Sequence, residues 1–288
     1  MTMRDLLATV ADLAVLVFAV TSMLSVGLAH SAKQVLGPLR DLWALARAVL
    51  ANFVLVPLLA LGILRLWPLD RPLAAGLILV AMSAGAPFLI KLTETARSDV
   101  ALSATLLVLL LPVTVVYAPI AVPRVLPEAE VSAGALAVPL FLTMLLPLGA
   151  GLLVNSRWPA PARRWGPVAR RTSTLALVVI VLAATLANVR TIVALFVEGA
   201  IVPAILVVAG AFVIGYLLGG KDRDARTVLG LGTSQRNIAA ATVMATQGFA
   251  DNATVVMVIV TSLAGFALLF PVAAVLRRRE PAPAARTG

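Results

Sequence analysis

The chain has no cysteine in its 288 residues, which excludes disulfides and thiolate metal centres and leaves the redox compartment undetermined. It contains no HExxH, no GxSxG and no phosphate-binding glycine loop, so metal-assisted hydrolysis, nucleophilic catalysis and ATP-driven pumping all lack their residues. An enzyme is not expected, and no cofactor is called for. Charge is scarce at 12%, and aromatic residues make up only 5%. There is no polar stretch long enough for a soluble domain, because the longest hydrophilic connection runs only from Ser156 to Arg171.

What remains is apolar. Hydrophobic residues are 61% of the chain and the mean hydropathy is +1.04, a composition outside that of soluble domains. A membrane-spanning helix needs about 20 mostly apolar residues. The sequence offers nine such stretches, near Leu7 to Leu28, Leu42 to Leu66, Pro72 to Leu92, Val100 to Val122, Ala135 to Val154, Thr174 to Val193, Ala200 to Leu218, Val228 to Gln247 and Thr254 to Val275. The runs are continuous rather than alternating, so helices are expected and strands are not. The first run is too long for a signal peptide, lacks a clean cleavage site and carries Asp12, so it reads as a span.

Lys and Arg fall on alternate connections. One side collects Lys33 and Arg40, then Arg97, then Arg157, Arg163, Arg164, Arg170 and Arg171, then Lys221, Arg223 and Arg226, then Arg277, Arg278 and Arg279. The other holds Arg4, Arg65, Arg71, Arg124 and Arg190, with Arg124 offset by Glu128 and Glu130. The positive-inside rule then places the N-terminus outside and the C-terminus in the cytoplasm of a cell-membrane protein. The formal charge of +10 is thereby a matter of topology and lipid contact, and nucleic acid is not an expected partner. The tail from Glu280 to Gly288 reads as disordered.

Two spans depart from the rest. The third contains SAGAPFLIKLTE, with Gly85, Pro87, Lys91 and Glu94; the eighth contains GLGTSQRN, with Gly230 and Gly232 before a polar run that includes Arg236. A charge at bilayer depth costs about 2.5–3.5 kcal/mol on insertion scales, so Arg236 is expected to face a cavity or a partner. Interrupted helices of this kind mark the midplane binding sites of transporters, because a break frees backbone groups and aims helix dipoles inward. The breaks lie five spans apart, as two repeats of opposite orientation would place them. Residues 1–288 then form one transporter unit, 1–124 being a four-span repeat with one helix fewer and 132–277 a five-span repeat.

At this level the residues resemble the bile acid:sodium symporter family. The stretch LVFAVTSMLSVGLAHSAKQVLGPLRD is similar to that family's early helix and loop, RAVLANFVLVPLLALGIL to the next helix, SAGAPFLIKLTETARSDVALSATLLVLLLPV to its first crossing helix and the helix after it, and GTSQRNIAAATV to its second crossing motif. The resemblance implies a panel domain and a core domain with two broken helices crossing in the core, alternating access, organic anions such as bile acids or smaller carboxylates as substrates, and sodium as the coupling ion.

The sodium ligands do not carry over. Where the family has a Ser-Asn pair this chain has Leu89 and Ile90, followed by Lys91; where it has a Glu and a Gln before the second-motif Asn, this chain has Gly232 and Arg236. Ser103 matches a family hydroxyl ligand, and Asn52 stands where the family often has a Gln. Losing a carboxylate and an amide while gaining two cations argues against a sodium cage of hard oxygens. The candidate substrate residues are Arg236, Asn237, Lys91, Gln235, Ser234 and Thr233, the last three placed on an unwound segment after Gly232; Asn52 and Ser103 are candidate cation-site remnants.

Each has a plainer reading. Arg236 would serve structure alone by bridging carbonyls freed at the break. Lys91 would pair with Glu94 or snorkel. Asn52 and Ser103 would join helices by hydrogen bonds. His30, Asp12 and Glu198 read as interfacial. Three functions remain open: an organic-anion transporter without sodium coupling, a sodium symporter with a rearranged site, and a non-transporting receptor or partner subunit. The expected partners are a small organic anion and the lipid bilayer, with a homo-oligomer left open. A cavity of small aliphatic groups is expected.

Overall fold

The computed structural model describes residues 3–31, 41–127, 133–197, 199–249 and 251–277. The tail Glu280 to Gly288 and Lys33, Arg40, Glu128, Glu130, Glu198, Arg278 and Arg279 lie outside the described residues, as do the side chains of Arg4, Asp12 and Arg190.

All regular structure among the described residues is helical. The helices are α1 (Met3–Ala29), α2 (Leu42–Leu66), α3 (Arg71–Met82), α4 (Phe88–Thr95), α5 (Val100–Val125), α6 (133–157), α7 (Pro159–Val197), α8 (Ile201–Leu218), α9 (Arg223–Ser234), α10 (Ile238–Gly248) and α11 (Asn252–Val275). Five helical stretches are long and apolar enough to cross a membrane: Leu42–Leu66, Val100–Val125, Leu136–Arg157, Ile201–Leu218 and Asn252–Val275. Their outward faces carry Leu58, Val116, Leu153 and Leu217, exposed by half or more, which suits lipid and not water.

Caps mark where the helices begin. Asp41, Asp99, Asp222, Asn237 and Asp251 each accept a backbone N–H from the first turn of the helix they precede. Proline marks where two helices deform. Pro57 and Pro147 each follow a five-residue π-helical segment, Ala51–Leu55 in α2 and Phe141–Leu145 in α6. In α2 the Val56 N–H reaches back to Ala51 O, one residue further than an α-helix allows. Pro57 has no N–H to offer the next carbonyl in line, so the Asn52 carbonyl has no partner along its own helix.

The stretch from Ser156 to Arg171, expected as a connection, is helical apart from Trp158: α6 ends at Arg157, and α7 starts at Pro159 and runs 39 residues. At 1.5 Å per residue that is about 58 Å, well beyond a hydrocarbon core of about 30 Å. Its length therefore exceeds what a single crossing of such a layer would need, and its first turns carry arginines.

The helices pack as two groups. α1 lies along both α6 and α7. Gly27 and Gly151 let α1 and α6 touch at the backbone, since a Cβ on Gly151 would sit 2.7 Å from Leu24 O and 2.9 Å from Gly27 Cα. In the second group α11 packs on α3, and α8 packs on α2, α9 and α11. Contacts of α10 with α1 and α6 and of α5 with α6 join the two.

Both spans expected to be broken are broken. The first opens at 83–87 between α3 and α4, where Gly85 adopts a φ of +80°. The second opens at 235–237, between α9 and α10. This corrects the expectation that Gly230 and Gly232 interrupt the helix and that Thr233 and Ser234 lie on an unwound segment: all four are helical residues of α9. These glycines serve close packing, because a Cβ at Gly230 would meet the Phe212 ring at 3.1 Å and one at Gly232 would meet Leu106 Cδ2 at 2.6 Å.

Candidate functional site

The two breaks meet. Asn237, the last residue of the second, donates its backbone N–H to Ser83 O at 2.9 Å and its side-chain amide to Gly85 O at 3.0 Å, while its Oδ1 caps α10 through Ala240 N at 3.1 Å. Thr114 of α5 donates to Ala84 O at 3.1 Å. Carbonyls of the first break are thus taken by α10's cap and by α5, which is what a buried irregular segment requires.

Arg236 completes this exchange. Its side chain is 5% exposed, and each N–H of the guanidinium has an oxygen to meet. Nε donates to Val80 O at 3.2 Å; Nη1 donates to Asn52 Oδ1 at 2.8 Å and Thr233 O at 2.9 Å; Nη2 donates to Asn52 O at 3.3 Å and to Ala81 O. No carboxylate is among these partners. The acceptors are neutral oxygens drawn from α2, α3 and α9, and one is the Asn52 carbonyl that Pro57 leaves free. Asn52 is held in turn, its amide donating to Ala48 O at 3.0 Å and to Thr233 Oγ1 at 3.3 Å. A cation inside a shell of carbonyl and amide oxygens has the coordination chemistry of a hard-ion site, with the ion covalently tethered.

The remaining candidates are dispersed. Ser234 donates to Val208 O at 2.6 Å, tying α9 to α8. Gln235 is buried, and its Oε1 accepts no hydrogen bond. Ser103 turns its hydroxyl back on Val100 O at 2.7 Å and has no hydrogen bond to Asn52 or Arg236. Lys91 is not part of the Arg236 shell. It is 57% exposed and pairs with Glu94 at 3.2 Å; Arg170 of α7 reaches the same carboxylate at 3.1 Å.

Lys91 does line a cavity. A space of about 890 Å³ opens between α1 and α7 on one side and α4 and α11 on the other. Its wall carries Phe18, Val26, Phe88, Ile90 and Phe270, with His30, Lys91, Glu94, Arg170 and Arg171 supplying the charged and titratable groups. The wall is thus richer in aromatic rings than the small aliphatic lining expected. A smaller cavity of about 540 Å³ lies within the second group, between α2, α5, α8 and α9.

Comparison with known proteins fits this geometry. The sequence profile of the Sodium Bile acid symporter family matches residues 15–195. The chain belongs to that family. It is similar to the probable sodium/metabolite cotransporter BASS2, chloroplastic, of Oryza sativa subsp. japonica, at 27% identity over 197 residues, which covers 68% of the chain and 47% of the relative. The chain therefore spans about half the length of that relative. The profile match ends before the second break, so Arg236 lies outside the region the profile recognises while its partners Asn52, Val80 and Ala81 lie inside it.

Leu89 is 1% exposed and packs on Gly232: a Cβ there would lie 3.0 Å from Leu89 Cδ2. The carbonyls of Val80 and Ala81 and the Arg170–Glu94 pair carry no sequence signal of their own. Backbone acceptors are invisible in a sequence, and Arg170 reads there as one more topology-setting charge.

Proposed function

We propose that the protein is a secondary transporter that carries an organic anion across the cell membrane without coupling it to sodium. The observation that carries this reading is the tethered cation. The guanidinium of Arg236 holds the oxygens that a free ion would need, and Leu89 and Leu106 fill the space beside Gly232. Family membership supports transport over catalysis. The substrate would sit in the cavity of about 890 Å³, apolar body against Phe18, Phe88 and Phe270 and acid group toward Lys91, Arg170 and Arg171.

In this reading nine spans form two inverted repeats, the α1–α6–α7 group is the panel, and the group containing both breaks is the core. The panel and core would alternate access to the cavity, with the Arg97, Arg170 and Lys221 end facing the cytoplasm. Arg236 and Asn237 lock the crossover and do not contact substrate. Lys91 is the substrate residue among the sequence candidates.

The relative's printed name favours a second reading, sodium cotransport through a rearranged site. Uptake of labelled cholate into proteoliposomes, with internal and external sodium replaced by choline, separates the two. Equal initial rates are expected; a fall to background without sodium would establish cotransport. Counterflow against unlabelled cholate is expected as well, and binding without counterflow would indicate a receptor.

A further inference from the structure

One ion pair joins the two walls of the larger cavity. Arg170, on α7, donates through Nη2 to both oxygens of Glu94 on α4, at 3.1 and 3.3 Å. Lys91 lies one turn before Glu94 and donates to its Oε2 at 3.2 Å. Arg171 lines the same cavity, so three cations stand over one carboxylate at this end. Two of the three are already occupied by it. The rest of the wall is largely apolar.

α4 is only eight residues long. It hangs between two left-handed residues, Gly85 at φ +80° in the break and Arg97 at φ +51° in the turn before α5. Fixing Glu94 to α7 therefore fixes a short half-helix whose other end is part of the crossover. The fixing is weak. Glu94 is 34% exposed and Arg170 57%, and pairs of that exposure are worth about 0–1 kcal/mol. Arg170 meets Glu94 through Nη2 alone, so a ligand acid group that engages two nitrogens of the guanidinium fork can replace it.

We propose that Glu94 is a stand-in for the substrate's acid group: it latches α4 to α7 across the cavity, and a substrate carboxylate or sulfonate displaces it from Arg170 and Lys91, which frees α4. The proposal rests on the organic-anion reading above and sharpens it. The substrate has one acid group at the end of an apolar body, and Glu94 sets the affinity by competing for the same cations.

Labelled cholate flux in sodium-free proteoliposomes tests it, with taurocholate and decanoate as further probes. Glu94→Gln removes the competitor while keeping its size, so KM is expected to fall about three- to fivefold with little change in maximal rate. Glu94→Asp keeps the charge on a shorter arm and is expected to give an intermediate KM. Arg170→Gln is expected to raise KM, and Arg170→Lys to restore part of it. A KM that stays put or rises in Glu94→Gln, in protein melting at the wild-type temperature, would overturn the latch. Should Glu94→Gln fail to fold, an unchanged KM in Glu94→Asp overturns it equally. If the wild type moved none of the three anions, the transport reading itself would fall; wild-type flux with an unmoved variant KM would sink the latch alone.

Discussion

Arg236 is where one side chain decides most. A buried cation whose donors are all met by neutral oxygens is held by charge-assisted hydrogen bonds, each worth about 1.5–3 kcal/mol. Removing it leaves carbonyls of Val80, Ala81, Thr233 and Asn52 without that partner. Arg236→Met is therefore expected to destabilise the protein by several kcal/mol, since each buried oxygen left unmet costs about 1–3 kcal/mol, read as a drop in melting temperature in detergent. Arg236→Gln should behave differently, because it opens the oxygen shell to water and to small cations. A melting temperature higher in sodium chloride than in choline chloride is expected for Arg236→Gln and not for the wild type. Equal melting in both salts for both proteins would mean that the shell is not an ion site. Asn237 offers a cleaner loss: Asn237→Asp keeps the cap on α10 but gives up the amide bond to Gly85 O and buries a charge, so it is expected to be worse than Asn237→Ala.

At the scale of helices, proline and glycine do two different jobs. Pro57 and Pro147 produce local unwinding inside spanning helices, and the first of these yields a carbonyl that another helix uses. Glycine sets how near helices come. Gly151→Ala forces a Cβ against the backbone of α1, and backbone cannot rotate aside, so a loss of about 1–3 kcal/mol is expected. Gly149, two residues earlier, has open space around its Cβ position, and Gly149→Ala is expected to be neutral or to stabilise by up to about 1 kcal/mol through helix propensity. Melting curves of the pair check both; matching losses would contradict the close α1–α6 approach. Gly230 and Gly232 looked like helix breakers in the sequence because glycine beside a polar run suggests unwinding. They turned out to be packing residues, and the break fell three residues after Gly232, where Arg236 finds partners on α3 and Asn237 in the 83–87 segment.

For the whole molecule, transport without a co-transported cation, as proposed above, would have an electrical consequence. Moving one anion without a compensating ion displaces one negative charge per cycle, and a membrane potential acts on it with about 2.3 kcal/mol per 100 mV. An inside-negative potential then drives the anion outward. In proteoliposomes, a potassium diffusion potential that is negative inside should accelerate cholate efflux and slow its uptake, and clamping the potential at zero should abolish the difference. Insensitivity to voltage would require a compensating ion and would argue against uncoupled transport.

The sequence alone determined that this chain is helical, built for a membrane and broken in two particular stretches. Those properties are local: apolar run length and glycine and proline placement. It also singled out Arg236, because a lone charge in an apolar segment is visible without coordinates. Only the tertiary structure decided what Arg236 touches, since most of its partners are main-chain oxygens, those of Val80, Ala81 and Asn52, more than 150 residues away, and main-chain oxygens are the same in every sequence. It likewise separated Lys91 from Arg236, paired it with Glu94 and Arg170, and set that cluster over the cavity between the helix groups. Which charges share a site depends on how helices pack across the bilayer, and the spacing of residues along one helix does not contain that information.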